Sequence, residues 1–437
     1  MSYSIGIDYG TASGRVFLIN TTNGQVVSKF VKPYTHGVIE SELNGLKIPH
    51  TYALQNSNDY LEIMEKTAYI MEAGDWIVNK LTNKNVRSNC GLGFKAFWEE
   101  ETGFHYDLFD KIDPKLSKVI QDKVSAPVVN IGEVVGKLDD KMAQKLGLSK
   151  ETMVSPFIID AHASLLGIGS EKDKEMTMVM GTSTCHLMLN EKQHQVPGIS
   201  GSVKGAIIPE LFAYEAGQSA VGDLFEYVAK QAPKSYVDEA ANRNMTVFEL
   251  MNEKIKHQMP GESGLIALDW HNGNRSVLSD SNLTGCIFGL TLQTKHEDIY
   301  RAYLEATAFG TKMIMQQYQD WHMEVEKVFA CGGIPKKNAV MMDIYANVLN
   351  KKLIVMDSEY APAIGAAILG AVSGGAHNSI NDAVDAMKEP ILYEINPEAE
   401  KVQRYETLFK AYKALHDIHG YKKANIMKDI QSLRVEG

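Results

Sequence analysis

Alternating apolar and polar residues near the start of the chain predict a β-hairpin. Residues 4–19 read SIGIDYGTASGRVFLI, which is an apolar strand, an aspartate, a Gly-Thr turn and a second strand. With the next apolar segment, the pattern predicts strands at 3–8, 15–20 and 25–31. The first turn offers closely spaced backbone N–H groups without bulky side chains, which suits an anion such as phosphate. On its own, this turn is equally compatible with an ordinary hairpin.

The same pattern occurs a second time in the middle of the chain. Residues 175–190 read EMTMVMGTSTCHLMLN, again a strand, a Gly-Thr-Ser-Thr turn and a strand. Residues 327–333, KVFACGG, form a third element, in which a buried strand runs into two glycines, and helical spacing follows over 335–349. A glycine pair between strand and helix lets a flat base or ribose lie against the backbone. The three elements together predict two related halves that face each other across a nucleotide cleft.

Elsewhere short strands alternate with amphipathic helices, as in α/β folds. The periodicity predicts helices at 58–81, 111–123, 139–146, 161–168, 221–230, 299–321, 361–371 and 398–423, and short strands at 155–159 and 353–356. The segment SNCGLG, residues 88–93, is predicted to be a flexible loop. A polar, glycine-containing segment, IGSEKDKE, predicts a boundary between one domain at 1–168 and another at 169–437.

Composition narrows the class of protein. The chain has 437 residues, of which 44% are hydrophobic, and this is enough for two or three domains with large cores. Its net charge of −10, without a basic cluster, argues against nucleic acid and anionic membrane surfaces as partners. We expect no signal peptide, no membrane span and a cytoplasmic location. Four cysteines without CxxC spacing are expected to be reduced thiols: Cys90, Cys185, Cys286 and Cys331.

The motifs IDYGT, MGTS and CGGIPKKN, in this order, resemble the FGGY carbohydrate kinases of the actin-like ATPase superfamily. Within that family, EAGDWIVNKLT, IDAHASLLG, YEAGQSAVGD and DWHNGNRSVLSDSNLTG resemble the L-ribulokinase group. The resemblance implies an α/β fold of two actin-like (ribonuclease H-like) domains flanking a nucleotide cleft. It also implies ATP-dependent phosphorylation of L-ribulose to L-ribulose 5-phosphate in L-arabinose catabolism, with ATP and Mg²⁺ as cofactors. Related ketopentoses or pentitols are expected as further substrates, and a homodimer is one option for the assembly.

Asp160 is the candidate catalytic residue. Phosphorylation of an alcohol requires a group that orients the hydroxyl and accepts its proton, and a carboxylate at the end of a buried strand does both. The resemblance assigns this role to Asp160 in FIIDAHAS, and we expect Asp8 and Asp160 to hold Mg²⁺ through its bound water. The alternative is that Asp160 is a helix N-cap, a role compatible with the first.

The resemblance also assigns residues to the sugar. Glu215, and more weakly Gln218, match positions that face sugar hydroxyls, whereas the alternative for Glu215 is a solvated loop residue. His162 is predicted to be a packing or hydrogen-bonding histidine rather than a catalytic one. Trp270 and His271 fit a wall beside the sugar and the core of the second domain equally well.

The nucleotide is assigned to the two Gly-Thr turns and to the glycine pair. Arg15 is suited either to a phosphate or to solvent, and Lys336 and Lys337 are expected to be exposed charges rather than ligands. The predicted nucleotide-binding residues are Gly10, Thr11, Ser13, Arg15, Gly181, Thr182, Ser183, Gly332, Gly333 and Asn338.

The first domain is shorter than this architecture requires. Between about residues 60 and 76 the chain runs directly into EAGDW, without the strands and helices that such a half needs, a block on the order of a hundred residues. The resemblance therefore implies an internal deletion after about residue 64. Two alternatives to an active kinase follow: a catalytically impaired form that retains nucleotide binding, and a nucleotide-gated actin-like module without a sugar. The ribulokinase-like motifs around Asp160 and Glu215 argue against the second.

Overall fold

The computed structural model describes residues 2–9, 13–33, 42–43, 46–47, 69–358, 360–421 and 426–433. Its two main sheets have three strands near the start of the chain and seven strands in the second half. Two helices that pack on each other lie between them. The mixed α/β architecture agrees with the fold class predicted from the sequence.

The first sheet is an antiparallel meander, as the apolar alternation predicts. Its strands are β1 (Tyr3–Tyr9), β2 (Ser13–Asn20) and β3 (Val26–Pro33). Phe17 and Ile19 on β2 are fully buried, because this face of the sheet packs on a helix of the second half.

The elements that follow the first sheet are short. In chain order they are β4 (Glu42–Leu43), β5 (Leu46–Lys47), α1 (Ala73–Thr82), β6 (Arg87–Ser88), α2 (Asn89–Ala96), β7 (Trp98–Glu99), β8 (Gly103–Phe104), α3 (Tyr106–Ile112), α4 (Pro114–Val119), a π-helical turn (Ile120–Val124), β9 (Val128–Val129), β10 (Gly136–Lys137), α5 (Asp140–Leu146), β11 (Met153–Val154) and α6 (Asp160–Ile168).

The long helix predicted at 58–81 is confirmed over residues 73–81 and wrong at residues 69–72. Helix α1 begins only at Ala73, residues 69–72 are not helical, and the predicted start lies outside the described residues. Tertiary hydrogen bonds explain the difference: the Ile70 N–H donates to the Lys123 carbonyl at 2.9 Å, and Arg87 donates to the Ile70 carbonyl at 3.3 Å. These bonds hold the segment in a non-helical conformation.

Two further local predictions are wrong. Residues 88–93, predicted to be a flexible loop, include most of the first two turns of α2, where Cys90 is fully buried. The strand predicted at 155–159 is not formed, and an extended segment leads directly into α6. A strand requires a hydrogen-bonded neighbour, and within the described residues this segment has none.

Asp75, on α1, has an unusual environment for a carboxylate. It is 2% exposed, one oxygen accepts the Ser88 N–H at 2.9 Å, and the other has no hydrogen-bond partner within the described part of the chain. Burial raises the pKa of Asp75 to about 7, although the Ser88 N–H and the charge of Arg87 act in the opposite direction. The folded protein therefore holds a proton that the unfolded chain releases near pH 4.

This carboxyl makes stability fall as the pH rises from about 4 to 7, by up to about 4 kcal/mol, because only the unfolded chain ionises freely in that range. We expect Asp75→Asn to flatten this dependence in urea unfolding at pH 5 and pH 8. Exposed Asp122→Asn is the control and should leave the slope unchanged. The prediction would be contradicted if the free energy of unfolding fell equally between pH 5 and pH 8 in the wild type and in Asp75→Asn.

The second half contains the larger sheet and most of the helices. Its elements are β12 (Glu175–Met180), β13 (Thr184–Asn190), β14 (Ser202–Lys204), β15 (Phe212–Gln218), α7 (Gly222–Lys230), α8 (Lys234–Asn242), α9 (Val247–Ile255), β16 (Ile266–Leu268), β17 (Cys286–Phe288), α10 (His296–Asp320), β18 (Lys327–Cys331), α11 (Gly333–Lys337), α12 (Ala339–Leu349), β19 (Leu353–Met356), α13 (Ala361–Ser373), α14 (Ile380–Met387), β20 (Ile391–Ile395), α15 (Ala399–Tyr421) and α16 (Ile426–Ser432).

The larger sheet has the strand order β14-β15-β13-β12-β18-β19-β20. Strands β12, β18 and β19 are parallel, and the remaining pairs are antiparallel. One face packs on α10 and α12 in the main core, and the other packs on α6 and α13. Both faces are therefore covered, as is usual for a sheet with parallel strands.

Helices α6 and α13 cross at glycines. A Cβ atom on Gly167 would lie 2.2 Å from the Ala361 carbonyl oxygen, and one on Gly365 would lie 1.9 Å from that of Ala163. β1 approaches the same helix equally closely, since a Cβ on Gly6 would lie 1.9 Å from the Ala363 carbonyl oxygen. These contacts fix the position of the first sheet against the second half.

We expect Gly365→Ala to lower the free energy of unfolding by about 1–3 kcal/mol, because the added methyl group forces the two helix backbones apart. Gly333→Ala is the matched control, since a Cβ there meets no atom within 4 Å. Urea unfolding measures both variants. An equal effect in the two would show that the helix crossing tolerates a side chain.

Candidate active site

The neighbouring parallel strands β12 and β18 pair from Glu175 with Lys327 to Val179 with Cys331, and we call the space beyond their carboxyl ends the crevice. The chain leaves β12 towards β13 on one side and leaves β18 towards β19 on the other. In open α/β sheets, ligands bind at such a point, where the connections diverge.

Two of the predicted nucleotide segments meet at this crevice. Gly181, Thr182 and Ser183 form the exposed turn between β12 and β13. Gly332, with φ 104°, follows β18, and a Cβ there would lie 2.3 Å from the Met180 carbonyl oxygen. Gly333 is exposed, and a Cβ on it would meet nothing within 4 Å. Gly332 therefore allows the backbone of β12 to approach closely, and Gly333 leaves open space beside it.

The start of α7 packs on the same turn. The Val221 N–H donates to the Thr182 carbonyl at 2.8 Å, and the Gly222 N–H donates to the Gly181 carbonyl at 3.0 Å. Protein carbonyls therefore satisfy the first N–H groups of this helix, which fixes the turn in place. A Cβ on Gly222 would lie 2.6 Å from the Gly181 oxygen, so this contact requires glycine.

The predicted nucleotide residues of the first half are only partly described. Gly10 and Thr11 lie outside the described residues. Asp8 on β1 and Ser13 on β2 are described in their backbone, and Arg15 is a half-buried residue opposite Asp8 in the strand register. The predicted roles of these residues remain predictions.

Asn338 has a structural role that the sequence did not predict. Its Oδ1 accepts the Met341 N–H at 3.0 Å as the N-cap of α12, and its Nδ2 donates to the Tyr300 hydroxyl at 3.1 Å. This cap divides the helix predicted at 335–349 into α11 and α12. Because protein partners use its amide, the geometry does not support an adenosine contact. Lys336 pairs with Asp357 at 2.6 Å, as expected of a surface charge.

Asp160 is the first residue of α6 and is exposed. Its Oδ1 accepts the Ala161 N–H at 2.7 Å, which is the only hydrogen bond of this carboxylate within the described part of the chain. The N-cap residue is Ile159, so the alternative that Asp160 caps the helix is wrong. The helix start therefore presents a carboxylate that is available for other partners.

Glu215, on β15, lies between two basic groups. His162 Nε2 lies 2.8 Å from its Oε2, and Arg275 hydrogen-bonds its Oε1. His162 is fully buried, with Cys90 Sγ 3.3 Å from its Nδ1, which confirms the prediction of a hydrogen-bonding histidine. Each Glu215 oxygen has one protein partner and retains a further acceptor position. The alternative of a solvated loop residue is wrong, because Glu215 lies on a strand and its side chain is 13% exposed.

The basic groups and Glu215 stabilise each other's charged forms. Burial on its own would raise the pKa of Glu215, but His162 and Arg275 outweigh it and lower the pKa to about 2. Burial would likewise lower the pKa of His162, but Cys90 and Glu215 raise it to about 9. Glu215 is therefore an ionised acceptor at neutral pH.

Cys185 connects this cluster to the nucleotide turn, because it lies on β13 only two residues after Ser183. Burial raises the pKa of the Cys185 thiol, and the charges of Glu215 and Asp160 act in the same direction against Arg275, which gives a value of about 11. The structure thus places Glu215 and its partner Arg275 beside the strand that follows the Gly-Thr-Ser turn, and His162 links Glu215 to the helix that begins at Asp160. All four cysteines are free thiols, as predicted.

Two other candidates lie in the core. The Gln218 amide donates to Asp269 and to the Thr307 carbonyl, both at 2.9 Å, and accepts from Thr311 at 3.0 Å. A buried amide with both N–H groups bonded to protein gives no support to its predicted sugar contact. Trp270 is 1% exposed and belongs to the main core. His271 is half-buried, and its Nε2 lies 3.2 Å from the hydroxyl of the core residue Tyr303.

Sequence reasoning missed Arg275 and Cys185. Both occur in motifs that the sequence analysis singled out, DWHNGNRS and MGTSTCH. An arginine in a polar motif is a usable signal, but its partner Glu215 is 60 residues away in the chain.

The fold agrees with comparisons to known proteins. Residues 176–374 match the C-terminal domain of the FGGY family of carbohydrate kinases. A Staphylococcus aureus protein named ribulokinase is 80% identical over 545 aligned residues, with 100% of both chains covered. The chain belongs to the FGGY family of carbohydrate kinases.

The same alignment shows how much shorter this chain is. It extends over 545 positions and the chain has 437 residues, so at least 108 positions are gaps in this chain. Identity at 80% of 545 positions is about 436, which is nearly every residue that the chain has. The sequence-based expectation of roughly a hundred absent residues agrees with this difference.

Solved structures show the same fold at low sequence identity. Xylulose kinase from Rhodospirillum rubrum is 18% identical, with a TM-score of 0.78 over 96% of this chain and 99% of that one. Ligand-bound xylulose kinase from Lactobacillus acidophilus is 14% identical, with a TM-score of 0.78 over 97% and 99%. Among the helices described for this chain, none is both long enough and apolar enough to span a bilayer.

Proposed function

We propose that the chain catalyses the ATP-dependent phosphorylation of L-ribulose to L-ribulose 5-phosphate, in keeping with the relatives named ribulokinase. One observation carries the proposal: His162, two residues after Asp160 on α6, is hydrogen-bonded to Glu215, and the strand that carries Glu215 pairs with β13, which begins directly after the Gly-Thr-Ser turn. It supports Asp160 as the proton acceptor and Glu215 as a sugar acceptor, near the turn to which we assign the phosphates.

In this mechanism Asp160, whose carboxylate has one hydrogen bond within the described residues, accepts the proton of the attacking hydroxyl. Glu215, held ionised by His162 and Arg275, accepts a hydrogen bond from a second hydroxyl of the sugar. Buried sugar hydroxyls must be hydrogen-bonded. Glu215 therefore favours binding of a polyol rather than water as the molecule that receives the phosphoryl group.

The nucleotide lies in the crevice between β12 and β18. Its phosphates face the Gly181–Ser183 turn, and its adenosine lies against the open side of Gly333. Asp160, with one protein hydrogen bond, fits a magnesium-bound water, and Asp8 would supply the second carboxylate. Mg²⁺ bound there would neutralise phosphate charge.

Related ketopentoses and pentitols are expected to be substrates as well, because they present similar hydroxyl groups to the same acceptors. We also propose that the protein is cytoplasmic and forms a homodimer. The impaired form that binds nucleotide without phosphorylating a sugar is less favoured, because the comparisons give it no advantage over the active kinase.

A coupled ADP-release assay with L-ribulose, D-xylulose and no sugar tests the function. We expect ADP release that depends on the sugar and is fastest with L-ribulose. Calorimetry with ADP, run in parallel, separates the alternatives. Nucleotide binding without sugar-dependent ADP release would overturn the proposal in favour of the impaired form.

A further inference from the structure

The outer face of the first sheet carries exposed apolar side chains. Ile5 and Val16 are each 37% exposed, Phe30 is 62% exposed, and Phe30 lies directly opposite Val16 in the β2–β3 register. The other face of the sheet is the one that packs on α13, through fully buried Phe17 and Ile19. Neighbouring apolar side chains on one exposed face mark a surface that meets another polypeptide.

The second half shows what covers the equivalent face there. Strands β12, β13 and β15 form the same antiparallel meander as β1, β2 and β3. Met176, Met178 and Met188 lie on its outer face, are 0% exposed, and share one core with Leu304 of α10 and Met341 of α12. The edge of β12 opposite β13 is paired in parallel with β18. A strand and two helices therefore complete this meander.

The first half lacks these elements among the described residues. There, β2 is the sole strand partner of β1, and residues 155–159, which precede α6 as β19 precedes α13, form no strand. An unpaired edge beside an apolar face is a template for strand addition.

The length of the absent segment fits the vacant position. At least 108 positions of the Staphylococcus aureus relative have no counterpart in this chain. In the second half, the segment from the start of α10 at His296 to the end of α12 at Leu349 comprises 54 residues and includes β18. The absent positions are therefore sufficient for one strand and the helices that flank it.

We propose that the edge of β1 opposite β2, which has no strand partner within the described residues, and the outer face formed by Ile5, Val16 and Phe30 are a docking surface for the polypeptide segment that fills those positions in the relative. Supplied as a separate chain, this segment adds a strand parallel to β1 and lays an apolar helix face on the three side chains. The strand also provides the missing neighbour for residues 155–159, directly before Asp160.

The test mixes the full chain with the separately expressed segment of the relative. We expect a one-to-one complex in size-exclusion chromatography and calorimetry, and a higher Tm for the chain. If the segment is insoluble by itself, co-expression with the chain must bring it into the soluble fraction. Both readouts are independent of turnover, so they separate this proposal from the proposed function.

Phe30→Glu is expected to weaken the complex at least about tenfold, because a charge would be buried under the docked helix. Phe288→Glu, at a phenylalanine of the second half that is 43% exposed, is the matched control and should bind as the wild type does. Circular dichroism confirms that both variants fold. The proposal is overturned if no complex forms, if both variants bind equally, or if Phe30→Glu abolishes only self-association of the chain, which would make a second copy the occupant.

Discussion

Asp160→Asn is expected to lower kcat for L-ribulose phosphorylation by a factor on the order of 10²–10⁴, the usual effect of losing a general base. Asparagine keeps the shape of the side chain and an oxygen that accepts the Ala161 N–H, so α6 should form normally. What is lost is the group that accepts the proton of the attacking hydroxyl.

Binding measurements make this prediction specific. The affinity for ADP should stay nearly unchanged, because the nucleotide crevice is built by β12, β18 and their glycines. Exposed Asp140→Asn, at the first position of α5, is a matched control at a helix start and should keep wild-type turnover. Wild-type turnover in Asp160→Asn would remove this residue from the mechanism.

Glu215→Ala is expected to have the largest effect on stability, because it leaves the fully buried His162 without its carboxylate partner and Arg275 without its ion pair. Removing one member of a buried ion pair costs about 3–5 kcal/mol. Since Arg275 is partly exposed, the loss should lie near the lower end of that range. Urea unfolding at pH 7 measures it.

Two further variants test whether the loss of stability comes from the buried ion pair. Glu226→Ala removes an exposed carboxylate that pairs with Lys230 on α7, and it should cost less than about 1 kcal/mol. Glu215→Gln keeps the shape of the side chain and one acceptor oxygen, so it should be more stable than Glu215→Ala while still raising the KM for L-ribulose. If Glu215→Ala unfolds like the wild type, the cluster is not a buried ion pair in solution.

Local patterns predicted the parts of the fold that depend on neighbouring residues. The three-strand meander follows from alternation, and helices such as α5, with its glycine C-cap at Gly147, follow from periodicity and end signals. The glycine pair at Gly332 and Gly333 was also correctly placed between a strand and a helix. In each case the signal lies within a few residues of the structure that it specifies.

Tertiary contacts decided the remaining details. Residues 69–72 have a helical pattern, but the hydrogen bonds of Ile70 with Lys123 and Arg87 hold them in another conformation. Residues 155–159 have a strand pattern, but no described strand lies beside them. Sequence cannot show either outcome, because both depend on whether a partner from elsewhere in the chain is present.

The candidate site divides in the same way. The sequence by itself determined the family motifs and the Gly-Thr turn between β12 and β13, and it predicted the roles of Asp160 and Glu215. Only the tertiary structure paired Glu215 with Arg275, turned Asn338 into a helix cap and placed Gln218 in a buried hydrogen-bond network. The physical reason is that a side chain's role is set by the partners that reach it, and these partners come from strands and helices far apart in the chain.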